Sequence, residues 1–194
     1  LRGAQFLPQL ARGGEITPER TRRGLWLIGV GLAKKVILAD YLLSGFSDLV
    51  FDAQGVESPI FHWVALYSFA FQIYYDFSGY TDMARGIALL LGFEIPANFM
   101  EPYLSRNPTE FWRRWHISLS TWFRDYLYIP LGGSRGETWM KVRNIFIIFI
   151  VSGFWHGANW TFIIWGALNA IYFLPLLLTK NNRNNIDIVA KGKQ

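Results

Sequence analysis

No cysteine occurs among the 194 residues. That excludes a disulfide framework, zinc sites built on thiolates, and an acyl thioester formed on this chain's own side chain. Histidine is scarce too: His62, His116 and His156 lack any close-spaced ligand pattern, so no metal site is expected. No internal repeat of the inverted kind many transporters carry is visible, and no cleavable signal peptide is expected in the first residues of this sequence. The first residue is Leu1 rather than methionine, and the chain is expected to be truncated at both ends. The most informative absence is of charge. The 36 residues from Asn144 to Thr179 contain no Asp, Glu, Lys or Arg, and His156 is the one group among them expected to titrate near neutral pH.

What is present is apolar and aromatic: 52% of residues are hydrophobic, 18% are aromatic, and nine are Trp. These residues lie in blocks divided by basic patches, which is the pattern of a membrane protein rather than of a soluble domain. The net charge of +5 comes from 19 Lys and Arg against 14 Asp and Glu. The basic residues cluster beside apolar runs and form no single basic face, which points to anionic headgroups as partners and away from nucleic acid. About 20 apolar residues cover a hydrocarbon core of roughly 30 Å, so the uncharged run holds two passes, or one pass joined to a broken or re-entrant helix. As a helix, Asn144 to Trp155 rises about 18 Å from the basic Lys141 and Arg143, which carries His156 past the midplane. Lys141 and Arg143 before the run, and Lys180 and Arg183 after it, predict a hairpin entered and left from the cytoplasmic face. The fold class expected is all-α: a polytopic transmembrane bundle with amphipathic or re-entrant helices, forming one membrane-embedded region over 1–194. Residues 180–194 are read as a polar loop or disordered end.

An ionisable side chain at that depth must be paired or must line a water-containing cavity. Gly153 and Gly157 remove side chains on either side of His156, Ser152 and Asn159 offer hydrogen bonds, and Trp155 and Trp160 supply rigid walls. This set predicts a cavity; the plainer reading is a histidine that merely bonds between helices.

Earlier in the chain, Thr17-Pro18 predicts a helix start, and Lys34 and Lys35 read as topology anchors on an interfacial helix. Ile60 to Tyr75 is long enough to cross. It is expected to break at Asp76 to Asp82, with Ser78 or Thr81 capping a further helix from Met83. Asp76 and Asp82 could orient a partner histidine or a hydroxyl acceptor, or simply pair with Arg85. Asn107-Pro108-Thr109-Glu110 opens an amphipathic helix that runs to Pro130, with Gly132-Gly133 as the turn beyond it. His116 lies on its apolar stripe, where a histidine is usually a packed one.

Three stretches resemble the membrane-bound O-acyltransferases, in particular the bacterial branch containing alginate O-acetyltransferases. They are Tyr75 to Ala84 (Tyr-Asp-Phe-Ser-Gly-Tyr-Thr-Asp-Met-Ala), Phe111 to Gly133, and Ser152 to Trp160 (Ser-Gly-Phe-Trp-His-Gly-Ala-Asn-Trp). Phe6 to Leu10 and Lys34 to Asp40 fit the same branch, so the likeness runs to about Tyr172. Pro130 to Gly133 points to the alginate type rather than the similar D-alanine transferases of teichoic acid. The resemblance implies that His156 is the catalytic histidine and His116 the second motif histidine, with Asn159, Trp155, Trp160, Ser152 and Asp76 as candidate substrate contacts.

The activity implied is transfer of an acyl group, expected to be acetyl, from a thioester donor to a hydroxyl of an exported polysaccharide such as alginate. No cofactor is expected to be tightly bound, and the donor, acetyl-CoA or an acyl carrier, is a substrate. Expected partners are membrane lipids and the polymer, reached directly or through periplasmic acetyl-transfer proteins. The expected location is the bacterial inner membrane, with several passes. The competing readings are a transporter or channel component with His156 as proton relay, and an acyltransferase of the D-alanine or lipid type.

Overall fold

A computed structural model describes residues 2–51 and 58–179. The region 180–194, expected to be a polar loop or disordered end, lies outside them. The described residues are helical and contain no strand. The chain divides into two compact units, one up to Asn98 and the other from Phe99.

The first unit is built on two long antiparallel rods. Helix α1 spans Gly3–Arg12. Helix α2, Pro18–Leu32, starts as expected, with the Thr17 hydroxyl accepting from Arg20 N at 3.2 Å and proline at the first helical position. It continues through a π-helical stretch, Ala33–Leu43, into α3, Ser44–Phe51. The opposing rod is α4, Pro59–Leu90, a single helix of 32 residues.

The expected break at Asp76 to Asp82 is therefore absent. Gly79 is no turn: a Cβ there would lie 2.7 Å from the carbonyl oxygen of Gly31, and a Cβ on Gly31 would lie 2.6 Å from that of Gly79. Gly24 and Gly86 form the same contact one heptad away on each rod. The glycines are there so that two backbones can touch. Ser78 and Thr81, expected as caps, are buried in mid-helix, where the Thr81 hydroxyl bonds back to Ser78 O at 3.0 Å.

Lys34 and Lys35 are likewise more than anchors. Lys34 meets Asp82 at 2.7 Å, and Lys35 is shared between Asp40 and Asp76. A helix-spanning bond of 2.6 Å joins the Ser47 hydroxyl to Gln72. At the other end, Gln9 clamps Glu94 by accepting from its backbone N and donating to its backbone O, at 2.8 and 2.9 Å.

The second unit holds a helical hairpin. Helix α7, Thr138–His156, and helix α8, Trp160–Leu178, have 19 residues each, about 28 Å of rise. A Cβ on Gly153 would run into Phe162 O, and one on Gly166 into Phe149 O, so α7 and α8 also touch at glycine. Ile145, Phe149, Ala170 and Leu177 form the core between them, with Trp112 packed against it. Among the described residues, Trp160–Leu178 is the helix long and apolar enough to cross a membrane by length and composition, with a mean hydropathy of 1.8.

The second unit begins with two short helices, α5, Pro108–Arg114, and α6, Ile117–Phe123, the latter extended by a π-helical turn, Arg124–Tyr128. Gly132 and Gly133, with φ of 99° and 58°, make the expected turn. Asn144, fully buried on α7, donates both amide hydrogens to it, to Leu131 O and Gly133 O, each at 3.1 Å.

Candidate functional site

The helix expected to run unbroken from Asn107 to Pro130 stops after Arg114, and His116 sits at the break. The start is as read: Asn107 Oδ1 accepts from Glu110 N at 2.9 Å. Glu110 is buried and accepts from Arg106 N at 3.1 Å, Arg106 Nε at 3.3 Å and Arg114 Nη2 at 2.6 Å. The Arg106 backbone N–H, helped by both guanidinium groups, holds its carboxyl below the ordinary range against the opposing effect of burial.

Two groups then pull the chain out of the helix. Arg114 O accepts from Met100 N at 3.0 Å. The Trp115 ring stacks on Phe111 at 5.5 Å and meets Phe99 edge-on at 5.1 Å. His116 takes up the resulting change of direction in the left-handed region, with φ of 42° and ψ of 56°. That conformation costs a non-glycine residue about 1–2 kcal/mol, the kind of local strain that clusters at functional sites. The His116 carbonyl then begins α6 by accepting from Ser120 N at 3.0 Å.

His156 is the last residue of α7. The helix ends there because Gly157 is extended, and Asn159 starts α8 by accepting from Thr161 N at 3.2 Å. The imidazole is surrounded by rings. Trp155 lies at 4.9 Å, Trp165 meets it edge-on at 5.4 Å, and Phe162 stacks at 6.4 Å. Among the described residues no hydrogen-bond partner engages it, and it is exposed in this chain. Trp155 also reaches His116 at 6.1 Å, so one indole lies against both histidines.

The remaining candidates have distinct places. Ser152 is buried one helical turn before His156 and on the same side of α7. Asn159 commits its carbonyl oxygen to the cap, which leaves its NH2 as the group able to donate. Trp160 is 76% exposed at the start of α8. Asp76 lies in the first unit, where it pairs with Lys35.

The two glycines expected to open a cavity do something else. Gly153 lets α8 approach, and a Cβ on Gly157 would come within 2.6 Å of the Phe162 ring that stacks on His156. Phe162 and Trp165 were not anticipated. Their i, i+3 spacing, which sets both on one face of α8 beside the His156 turn, was the available signal. Behind Trp165 stands Trp112, at 6.0 Å and edge-on.

In sequence the chain is similar to several proteins named as transferases. Peptidoglycan O-acetyltransferase of Helicobacter pylori is 49% identical over 148 residues, 76% of this chain and 28% of its own length. Probable alginate O-acetylase AlgI of Azotobacter vinelandii is 53% identical over 137 residues, 71% of this chain and 27% of its own. Teichoic acid D-alanyltransferase of Bacillus subtilis is more distant, 32% identical over 155 residues, 76% of this chain and 39% of its own. The chain thus spans less than a third of the length of the two more similar relatives. The model of the membrane-bound O-acyltransferase family matches residues 6–193, a range that takes in both histidines, the tryptophan between them and the glycine-paired helices, and the chain belongs to that family.

Proposed function

We propose that the protein containing this chain is an O-acetyltransferase that moves an acetyl group from a thioester donor to a hydroxyl of an exported polysaccharide. The observation that carries this reading is the placement of His156: a helix-terminal imidazole with ring walls on three sides and no hydrogen-bond partner among the described residues. An alcohol near its normal pKa is a poor nucleophile, and a positioned imidazole that accepts its proton contributes typically 10² to 10⁴-fold.

In the reaction proposed, the acceptor oxygen attacks the thioester carbonyl as its proton passes to His156. The new C–O bond forms, the C–S bond breaks, and the imidazolium returns the proton to the departing thiolate. His116 and the NH2 of Asn159 are the donors proposed for the developing oxyanion. Trp155, Trp160 and Ser152 are proposed to line the substrate space. The thioester is supplied by acetyl-CoA or an acyl carrier, consistent with a chain that has no cysteine.

The acceptor is read as a polysaccharide because the relatives at 49% and 53% identity are named for peptidoglycan and alginate, whereas the D-alanyl relative stands at 32%. Delivery to the polymer, directly or through periplasmic acetyl-transfer proteins, is part of the proposal, as is a polytopic bundle in the bacterial inner membrane. In that bundle α7 and α8 form a hairpin, with His156 about 22 Å along α7 from Lys141. A proton relay would draw on Asp76 and Asp82, and both are held by lysines, which favours acyl transfer over transport.

The test is replacement of His156 by Ala or Gln in the intact protein, with polymer acetyl content measured in cells. The expected result is a loss of at least about 100-fold at normal membrane levels. Acetylation retained by both variants would overturn the proposal.

A further inference from the structure

Glycine contact in the first unit also brings two arginines to one level. A Cβ on Gly86 would lie 2.5 Å from Gly24 O, and one on Gly24 would lie 2.9 Å from Gly86 O. Arg23 and Arg85 immediately precede these glycines, so they leave facing helices side by side. Together with Leu89, Glu94 and Ile95 they line a cavity of about 60 Å³. One water-sized atom needs roughly 10–15 Å³ by this measure, so the cavity, which opens to solvent, has room for a small anion.

The donors are in place. Arg85 spends Nη1 on Asp82 at 3.1 Å and has Nη2 left to donate, while its Nε is sealed from solvent. Arg23 is exposed and has no ion pair among the described residues. Arg23, Arg85 and Lys34 against Asp82 and Glu94 give three positive charges to two negative, a net of +1.

We propose that this cavity binds a phosphate-ester anion, with Arg23 and Arg85 as its ligands. Guanidinium groups suit the task because their planar forks match phosphate oxygens two at a time. An anion there would meet the terminal nitrogens of Arg23 and the unspent Nη2 of Arg85, each a charge-assisted donor. Arg20 and Arg22 on the same first turns of α2 are paired with Glu15 and Glu19, so Arg23 is the cation of those turns left to meet an anion, and a phospholipid headgroup and a soluble phosphate ester share that chemistry. Glu94 faces the same space, and its backbone is fixed there by Gln9, so its carboxylate opposes the ligand. That opposition gives the site a signature no merely structural arginine pair has: removing the acid strengthens binding, and removing the base weakens it.

The experiment uses the intact protein in nanodiscs of zwitterionic lipid. Inorganic phosphate is titrated against chloride at constant ionic strength, with the thermal unfolding midpoint as readout. The midpoint is expected to rise saturably with phosphate. Arg23→Gln is expected to raise the half-saturating concentration at least about tenfold, and Glu94→Gln to lower it.

Arg23 is exposed and Glu94 is not a ligand, so these variants carry the test even if Arg85 substitutions misfold. A second arm uses nanodiscs containing an anionic phospholipid. If the lipid phosphate fills the site, the phosphate response disappears and native mass spectrometry shows a retained lipid that Arg23→Gln releases. If the response persists, the ligand is a soluble phosphate. Equal midpoints in phosphate and chloride, with lipid retained alike by wild type and Arg23→Gln, overturn the proposal, as does weaker binding in Glu94→Gln.

Discussion

His116 is both a side chain of interest and a backbone corner, and the two roles separate by mutation. Asparagine tolerates the left-handed conformation better than most residues and lacks the imidazole. His116→Asn is therefore expected to preserve expression and thermal stability while lowering acetyl transfer. A variant with full activity would make the corner, and not the ring, the reason for a histidine there. Glu110 makes a different prediction, about pH. Its folded-state pKa lies below the ordinary 4.5, so the stabilisation it gives is complete above that value and is lost as pH falls through the depressed one. Glu110→Gln is expected to be less stable at neutral pH by about 1.5–3 kcal/mol, because Arg106 and Arg114 lose a charged acceptor. It is also expected to flatten the acid limb of a stability profile measured by thermal unfolding. An unchanged limb would place the acid sensitivity elsewhere.

At the scale of elements, glycine decides which helices pair. Gly79→Ala puts a methyl group 2.7 Å from the Gly31 carbonyl and is expected to cost about 1–3 kcal/mol. Gly29 lies in α2 with nothing within 4 Å of an added Cβ, so Gly29→Ala is expected to be neutral or to stabilise by up to about 1 kcal/mol. Unfolding midpoints of the two variants check the contrast, and equal effects would refute the close-contact account. These glycines also explain what the sequence hid. Gly79 in a polar stretch reads as a turn, because a single chain does not reveal that its partner glycine lies 48 positions earlier. The reverse error occurred at Trp115 and His116, where no Gly or Pro announces a break; tertiary bonds from Met100 and a cluster of aromatic rings make it. By contrast, Asn107, Thr17 and Gly132-Gly133 were legible because caps and positive-φ turns are local chemistry. The histidines stood out for a different reason, as polar groups in surroundings that lack them, whereas Phe162 and Trp165 were two apolar rings among many.

For the molecule as a whole, the membrane hairpin proposed for α7 and α8 predicts that Glu137 and Thr179 emerge on one side of the membrane. The absence of cysteine from these residues makes the test clean. Single cysteines at either position, probed in intact cells with a maleimide that does not cross membranes, are expected to label alike and only after the cytoplasmic side is opened. Opposite labelling would rule out the hairpin.

The buried carboxamide of Asn144 sets a further condition on the proposed base. Both its hydrogens are used by Leu131 and Gly133, and its oxygen is used by Arg143, so α7 can neither rotate nor slide without breaking that join. A one-residue slip turns a helix by about 100°, which would swing the imidazole away from Phe162 and Trp165 on α8. The azimuth of His156 is thus locked from a point 12 residues, about 18 Å, down the same axis, and a change at position 144 should detune catalysis without touching the substrate.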